Sequence, residues 1–373
     1  MSFDLQAVTF FEEIRSILQH ARQNAYTAVN SAMVEAYWQI GRRIVEEEQK
    51  GQERADYGKR LLQELARQLT GEFGKGFSVT NLKLMRQFYL GQKGLIGQTL
   101  SDQFSPNSPT KKQLARTFPL SWSHYVLLLG IQNEIERSFY ELEAAQQNWS
   151  VRELKRQFNS SLYERLALSR EKGEVMRLAQ QGQIIEKPKD LLKQPYVLEF
   201  LGLAERSQYS ENDLEAAIID KLEHFLLELG KGFLFEARQK RFTFNEDHFF
   251  IDLVFYNRLL RCYVLLDLKI GKLTHQDLGQ MQMYVNYFDR YVKLPDEHPT
   301  VGIILCKKKH DALVEITLPK EANIYAAQYQ LYLPSKEELK ERLLDWIAEE
   351  KLLPELVENN GGNASGEFER DLE

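Results

Sequence analysis

From Phe249 to Ile270 the chain reads FFIDLVFYNRLLRCYVLLDLKI, with two apolar runs on either side of the polar pair Asn257-Arg258. β-Branched and aromatic residues dominate both runs, which predicts a hairpin of two buried strands. Buried strands seldom carry charge, because an unpaired ion in a dry core is costly. The first run nevertheless contains Asp252, and the second contains Asp267 and Lys269. These charges mark the hairpin as a candidate functional site.

The three charged side chains are predicted to share one face of the sheet. Side chains alternate along a strand, which puts Asp267 and Lys269 on the same side. A loop over residues 257–260 would put Asp252 on that side too, across from Leu265 and diagonal to Asp267. Two neighbouring carboxylates repel each other unless a cation lies between them, and Mg²⁺ or Mn²⁺ suits such oxygen ligands. The alternative is a structural ion pair between Asp252 and Lys269.

The composition is that of an ordinary globular protein of two or three domains, with 373 residues of which 43% are hydrophobic and 27% charged. The net charge of −6 gives no global signature of nucleic-acid binding, although a local basic face can bind DNA in an acidic protein. The sequence contains no nucleotide-binding glycine motif and no pair of histidines at zinc spacing.

The predicted cellular compartment is the cytoplasm. The two cysteines, Cys262 and Cys306, lie in apolar strand-like runs and form no disulfide framework. No apolar run reaches the ~20 residues that cross a bilayer, and the acidic, amphipathic N-terminus does not resemble a secretory signal. The sequence therefore predicts no membrane association.

Residues 1–175 are predicted to form an all-α domain. Helices over 57–69 and 79–90 flank the glycine-rich break Gly71–Phe77, which resembles a helix-turn-helix unit with a longer turn than usual. The second helix carries polar side chains suited to phosphates and base edges. These are Asn81, Lys83, Arg86 and Gln87, of which Lys83 and Arg86 are the predicted substrate contacts. The alternative is a helical hairpin with a solvated polar face.

The rest of the chain divides by composition and periodicity. Residues 91–113 are rich in Gly, Gln, Ser and Pro, which predicts a long mobile loop. Residues 176–205 are predicted to connect the domains, and the tail at 353–373 is predicted to be disordered. Within 206–352, helices are expected over 213–229 and 275–291 and at the end from 335, and strands over 233–244, 249–256, 261–270, 300–306 and 324–332. That order predicts a mixed α+β sheet with helices against it.

The order of helix, three strands, helix and strand, with Asp252 on the second strand and Asp267-Leu268-Lys269 on the third, resembles the PD-(D/E)xK nuclease superfamily. The resemblance implies a restriction-endonuclease-like fold in which Asp252 is the first metal-binding acid and Asp267 and Lys269 form the (D/E)xK element. The glutamate that this superfamily often carries on its first helix is best matched by Glu215, with Glu223 as the alternative.

Two further residues extend the resemblance. Gln280 and Tyr284 are four residues apart on the predicted second helix, so they share a face. They resemble the Gln-x-x-x-Tyr element of the RecB-like branch, which implies that they contact substrate or orient the site. The alternative is an ordinary polar helix edge.

More specifically, the chain resembles the YhcG family of bacterial nucleases along most of its length. The segments that carry the resemblance are Asp213-Leu214-Glu215, 225–233 (FLLELGKGF), 251–256 (IDLVFY), 302–306 (GIILC), Gly76-Phe77-Ser78, Asn81-Leu82, Met85-Arg86 and 120–125 (LSWSHY). Gln239, after Arg238, also matches the family pattern, with a strand-edge hydrogen bond as the alternative. One departure is Asp267, where glutamate is expected to be common, and the shorter arm would place a metal differently.

The resemblance implies a Mg²⁺- or Mn²⁺-dependent nuclease that hydrolyses DNA. Asp252, Asp267 and Glu215 would hold the metal, Lys269 would orient water or stabilise charge, and the helical half would grip DNA. The alternatives are a non-catalytic DNA-binding protein and a protein-interaction adaptor that keep the nuclease fold. The sequence leaves a homodimer open as well as a monomer.

Overall fold

The computed structural model describes residues 2–50, 55–101, 118–203, 209–244, 246–309, 311–319 and 321–345. The chain divides into two compact units, Met1–Lys155 and Arg156–Glu373. This division lies closer to the N-terminus than the predicted domain boundary after residue 175. The predicted disordered tail at 353–373 lies outside the described residues.

The first unit is helical, as predicted. Its helices are α1 (Ser2–Lys50), α2 (Ala55–Phe73), α3 (Val79–Ser101), α4 (Trp122–Leu128) and α5 (Glu134–Gln146), and α6 (Val151–Asn159) runs across the division between the units. Leu82 and Met85 of α3 pack against Ile44 of α1 and Leu62 of α2. α1 and α3 approach so closely that a Cβ on Gly41 would lie 2.1 Å from the carbonyl oxygen of Met85.

The predicted loop over 91–113 is wrong in its first part, because α3 continues to Ser101. An isolated glycine in a helix costs about 1 kcal/mol relative to alanine but does not end the helix. Leucine, glutamine and lysine between the glycines favour the helix, and the composition-based prediction gave them too little weight. The remainder of the predicted loop, from residue 102, lies outside the described residues.

The second unit contains a six-stranded sheet with helices around it. The helices are α7 (Leu162–Ala167), α8 (Val175–Gln181), α9 (Glu211–Asp220), α10 (Leu222–Leu229), α11 (His275–Tyr291), α12 (Asp311–Thr317) and a last helix over 336–345. The strands are β1 (Tyr196–Val197), β2 (Phe233–Phe244), β3 (Asp247–Asn257), β4 (Cys262–Lys272), β5 (Val301–Lys308) and β6 (Ile324–Gln330).

The sheet is mixed, with the strand order β1-β6-β5-β4-β3-β2. Strands β2, β3 and β4 pair antiparallel, whereas β4, β5, β6 and β1 pair parallel. Helices α9 and α10 pack on one face, where they bury residues such as Leu253 and Phe255. Helix α11 packs on the other face, over residues such as Val254 and Leu265. The central strands are apolar on both sides because both faces are covered.

Two parts of the second unit differ from the prediction. The helix predicted over 213–229 is two helices, because Lys221 leaves helical geometry with φ −119° and ψ 30°. The segment predicted as a connection, 176–205, supplies β1, which pairs parallel with β6 at the sheet edge. A strand of two residues is too short to show a hydrophobic period, so the pattern could not reveal it.

Candidate active site

The turn between β3 and β4 sets the register of the candidate site. The Asn257 side-chain oxygen accepts hydrogen bonds from the backbone N–H groups of Leu259 and Leu260, at 3.0 and 3.1 Å. Asn257 therefore belongs to the end of β3, where it pairs with Cys262, and the turn covers 258–261. The predicted loop had the right length but began one residue too early.

This shift changes the place of Asp252 relative to β4. Val254 pairs with Leu265 and Leu253 with Leu266, where the ladder ends, so Asp252 lies one residue beyond the last pair. The predicted position of Asp252 across from Leu265 is therefore wrong. The charge of Asp252 acts on both Asp267 and Lys269, so the three charged groups lie in one site.

Asp252 lies where the backbone pairing of β3 with β4 ends. Its Oδ2 accepts a hydrogen bond of 2.8 Å from the backbone N–H of Leu268, and its Oδ1 accepts one of 3.1 Å from Nε2 of Gln239. The carboxylate thus accepts the hydrogen bond from the Leu268 N–H that a backbone carbonyl of β3 would otherwise accept. These two hydrogen bonds fix the orientation of Asp252.

Asp267 and Lys269 lie side by side on β4. Asp267 is only 3% exposed, and Nζ of Lys269 lies 2.8 Å from its Oδ2. The ammonium is therefore the charged partner of this buried carboxylate oxygen. Lys269 also lies 3.7 Å from Oε2 of Glu211 at the start of α9. The ammonium group therefore has two carboxylates beside it.

Burial and mutual repulsion perturb the acids. Burial, followed by the charge of Asp252, raises the pKa of Asp267 to about 7. Burial also raises the pKa of Asp252, against the hydrogen bond from Leu268 and the charge of Lys269. For Lys269, burial acts to lower the pKa, but Asp267 and Glu211 outweigh it and the net pKa is raised. Perturbed groups of this kind cluster at functional sites.

Glu215 of α9 joins the site through Gln239. Both Arg238 and Gln239 donate hydrogen bonds to the Glu215 carboxylate, which is 2% exposed. Gln239 has a φ of +47°, which aims its side chain so that one amide nitrogen contacts both Glu215 and Asp252. The alternative helix acid, Glu223, is exposed on α10. Glu215 is therefore the helix acid connected to the strand acids.

Gln280 and Tyr284 share a face of α11, as their spacing predicts. Gln280 Nε2 donates a hydrogen bond to the Tyr284 hydroxyl, which in turn donates one of 2.8 Å to the carbonyl oxygen of Phe250. Phe250 is two residues from Asp252 on β3. Tyr284 is buried and Gln280 is exposed. The pair anchors α11 to the strand that carries Asp252.

The residues of the site fit a hard divalent cation. Within the described parts of the chain, no three His, Cys, Asp or Glu side chains converge on a common metal position. The carboxylates of Asp252 and Asp267, which are close enough to repel each other, remain as a donor set. Mg²⁺ usually takes one or two carboxylates and keeps several waters. Glu215 is engaged by Arg238 and Gln239, which separates it from the two direct candidates.

The residues predicted to contact DNA in the first unit have different environments. Arg86 forms an ion pair with Glu48 of α1, with Nε 2.6 Å from Oε2. Asn81 accepts a hydrogen bond of 2.9 Å from Nε1 of Trp122, which ties α3 to α4. Lys83 is exposed on α3. Of these three side chains, Lys83 is the one whose surroundings best suit a contact with phosphate.

The segment 120–125 has a structural role in the first unit. Ser121 Oγ lies 2.7 Å from Nδ1 of His124, and Nε2 of His124 lies 2.9 Å from the carbonyl oxygen of Trp149. The Trp122 ring contacts Tyr37 and Phe88. These contacts join α4 to the rest of the helical unit.

Comparison with known proteins identifies the family. The model of the YhcG PDDEXK nuclease domain matches residues 189–344, and that of the DUF1016 N-terminal domain matches residues 13–165. A protein of Escherichia coli (strain K12), described as "Putative nuclease YhcG", is 39% identical over 343 residues, which cover 88% of this chain and 91% of that protein. The chain belongs to the YhcG nuclease family. The resemblance inferred from the sequence motifs is therefore confirmed.

Two solved structures are more distant from this YhcG family member. A repair endonuclease from Pyrococcus abyssi is 16% identical, with a TM-score of 0.23 over 35% of this chain and 50% of that chain. The "EndoMS-dsDNA2 complex" is 15% identical, with a TM-score of 0.24 over 36% of this chain and 50% of that chain. The match thus spans half of each solved chain, and similarity at this level supports no inference about function.

No helix among the described residues is both long enough and apolar enough to cross a bilayer. Both cysteines, Cys262 and Cys306, are buried and free.

Proposed function

We propose that this YhcG family member is a metal-dependent nuclease that hydrolyses phosphodiester bonds in DNA. The observation that carries the proposal is the position of Asp267, which is buried, close enough to Asp252 to be repelled by its charge, and 2.8 Å from the Lys269 ammonium. Two buried or half-buried acids in this arrangement are costly for the fold without a cation. A site that destabilises the metal-free protein calls for a ligand that offsets the repulsion.

Asp252 and Asp267 would hold Mg²⁺ or Mn²⁺. When bound, such an ion supplies Lewis-acid stabilisation of the phosphate and lowers the pKa of attacking water. Lys269 places a positive charge beside the acids, where it can stabilise the negative charge that develops on the phosphate. Because two carboxylates flank its ammonium, Lys269 acts as a cation in this proposal and not as the general base.

The remaining residues of the site position the acids. Gln239 and the Leu268 N–H fix both oxygens of Asp252. Glu215 accepts a hydrogen bond from Gln239 and is itself held by Arg238. Tyr284 anchors α11 to β3 and leaves the exposed Gln280 available to contact substrate. Such supporting contacts keep ligand side chains in productive geometry. In the first unit, we propose that the exposed Lys83 contributes to DNA binding.

The test is cleavage of plasmid and single-stranded DNA by the full chain in Mg²⁺ and in EDTA. Lys269→Ala is expected to reduce kcat by at least about 100-fold, the usual scale for loss of a group that stabilises transition-state charge. DNA affinity should change much less, since Lys269 is one of many cations. An exposed lysine variant, Lys340→Ala, serves as the matched control. Metal-independent cleavage, or equal activity of Lys269→Ala and wild type, would overturn the proposal in favour of a non-catalytic DNA-binding or adaptor role.

Gln239→Asn tests the positioning of Asp252. Asparagine tolerates the left-handed backbone of this position, but its shorter arm cannot bridge Glu215 and Asp252. Loss of such a supporting contact typically lowers metal affinity or activity about 10–100-fold. We expect the Mg²⁺ concentration for half-maximal cleavage to rise, with thermal stability little changed. Lys240→Ala, on the next and exposed residue, is the control, and a wild-type Mg²⁺ dependence of Gln239→Asn would contradict the role.

A further inference from the structure

A groove of about 340 Å³ lies between β2 and α11 of the second unit. Four of its nine lining residues are aromatic, Phe242 and Phe244 from β2 and Tyr287 and Tyr291 from α11. Arg290, Asn286 and Gln282 contribute polar groups to the same lining. A volume of this size is at the lower end for pockets that take small organic ligands.

The aromatic rings form a stacked array that is open to solvent at one end. Phe242 stacks on Tyr287 with ring centroids 4.1 Å apart, and on Phe249 at 5.3 Å. Phe244 and Tyr291 are 50% and 64% exposed. Large aromatic rings usually bury most of their surface, and a cluster left open in this way is characteristic of a binding site. Phe242 is buried between its neighbours, so the exposed rings of Phe244 and Tyr291 are the ones that a planar ligand can reach.

The groove is connected to the candidate active site through Tyr284. The Phe242 ring meets the Tyr284 ring edge to face at 5.7 Å, and the Tyr284 hydroxyl bonds the carbonyl oxygen of Phe250, two residues from Asp252. Gly279 lines the groove and precedes Gln280 on α11. A Cβ on Gly279 would meet nothing within 4 Å, so this side of the groove is open. A strand with a phosphate at the site could thus place a neighbouring base here.

We propose that this groove binds an unpaired nucleobase of a DNA strand beside the phosphate that is cleaved, an inference that rests on the proposed nuclease function. Planar rings stack on bases of any sequence. Gln282 Nε2 donates a hydrogen bond of 3.1 Å to Asn286 Oδ1, so the Gln282 oxygen and the Asn286 amide nitrogen are the groups left to bond a base edge. Arg290 supplies the positive charge that a flanking phosphate requires. A paired base is already stacked within its duplex, so the groove selects substrates with a single-stranded or unpaired segment.

The inference is tested by DNA binding of the full chain carrying Asp267→Asn, which removes cleavage from the measurement. Fluorescence anisotropy compares a blunt duplex with the same duplex bearing an unpaired tail. Phe244→Ala and Tyr291→Ala remove exposed rings, whereas Gly279→Leu fills the groove without removing any contact. Each is expected to weaken binding of the tailed duplex about 5- to 100-fold, the range for loss of one stacked base. Binding of the blunt duplex should change less than about twofold.

Tyr332→Ala is the matched control. Tyr332 is an aromatic residue of 46% exposure that follows β6, which lies near the opposite edge of the sheet from β2. The inference would be overturned if the groove variants weakened binding of both duplexes equally, weakened binding of neither, or bound DNA as Tyr332→Ala does. Cleavage by the wild-type chain, measured in parallel, separates the two proposals. If the wild-type chain cleaves DNA but the groove variants bind the tailed duplex normally, the base site alone is refuted. If the groove variants lose binding of the tailed duplex but the wild-type chain does not cleave DNA, the catalytic proposal is refuted and the groove remains a base-binding site.

Discussion

Asp267→Asn is expected to abolish Mg²⁺-dependent DNA cleavage while making the metal-free protein more stable at pH 8. Asp267 is 3% exposed and lies near Asp252, so its charge is poorly solvated and repelled. Lys269 attracts this charge but does not outweigh burial, because the pKa of Asp267 is raised to about 7. Asparagine keeps the shape of the side chain and has no charge to bury. The charged Asp267 therefore destabilises the metal-free folded protein, and its proposed role in metal binding explains why an acid occupies this position.

The sign of the effect follows from the shift in pKa. The folded protein binds the Asp267 proton more tightly than the unfolded chain, whose carboxyl has a pKa near the ordinary value of 3.8. The free energy of unfolding therefore falls as pH rises from about 4 to 7, where the folded carboxyl loses its proton. Asp267→Asn should remove this loss, with a gain of the order of 1–3 kcal/mol at pH 8 and almost none at pH 4.

The measurement is urea unfolding of wild type and Asp267→Asn in EDTA at several pH values, together with cleavage assays. Mg²⁺ should raise the melting temperature of wild type, since binding to the folded state alone stabilises it, and should leave the variant unchanged. Asp296→Asn, at a carboxylate that is 69% exposed and paired with Arg261, is the control. A variant that is less stable than wild type at pH 8, or that still cleaves DNA, would contradict the assignment.

The sequence was sufficient to predict which strands carry the acids and Lys269. That prediction needs only the two apolar runs and the polar break between them. It could not give the register, because the turn begins where the Asn257 side chain accepts two backbone hydrogen bonds, and no periodic signal marks that choice. Leu265, the predicted partner of Asp252, pairs with Val254 instead.

Long-range contacts are the part of the site that the pattern could not show. Gln239 bridges Glu215 and Asp252 only because its backbone adopts φ +47° in the middle of β2. The resemblance already favoured Glu215 over Glu223, and the break at Lys221, which the pattern did not show, places Glu223 on a separate helix. Glycine usually marks a left-handed position in sequence, and a glutamine gives no such signal. The family match of Gln239 was the one available indication.

A second large effect is expected from Arg165→Met, which breaks an ion pair that hydrophobic periodicity did not predict. Arg165 and Glu228 are both fully buried, and Nη1 lies 2.5 Å from Oε1. Glu228 Oε1 also accepts a hydrogen bond of 2.9 Å from the backbone N–H of Val197 in β1. Arg165 further donates to the carbonyl oxygens of Ser160 and Pro195, at 2.7 and 3.0 Å. The pair thus ties α7, the segment before β1 and α10 together.

Removing Arg165 leaves a buried carboxylate without its main partner. Burial acts to raise the pKa of Glu228, but Arg165, Lys193 and Arg156 outweigh it and lower the pKa to about 2. Truncating one member of a buried ion pair typically costs about 3–5 kcal/mol. Arg165→Met should lower the free energy of unfolding by that amount. The loss should be smaller at acid pH, because an uncompensated Glu228 takes up a proton there and the wild-type pair loses its advantage as pH falls toward about 2.

The double variant Arg165→Met with Glu228→Gln separates charge from packing. Glutamine keeps an oxygen that accepts from the Val197 N–H and carries no charge, so the double variant should be more stable than Arg165→Met alone. Arg177→Met, in an exposed pair with Glu186, should leave the unfolding midpoint unchanged. Equal destabilisation of the single and double variants would show that lost packing and hydrogen bonds, not the stranded charge, determine the cost. Glu228 would then contribute to stability mainly through its hydrogen bond from the Val197 N–H of β1 and not through the charge of the ion pair.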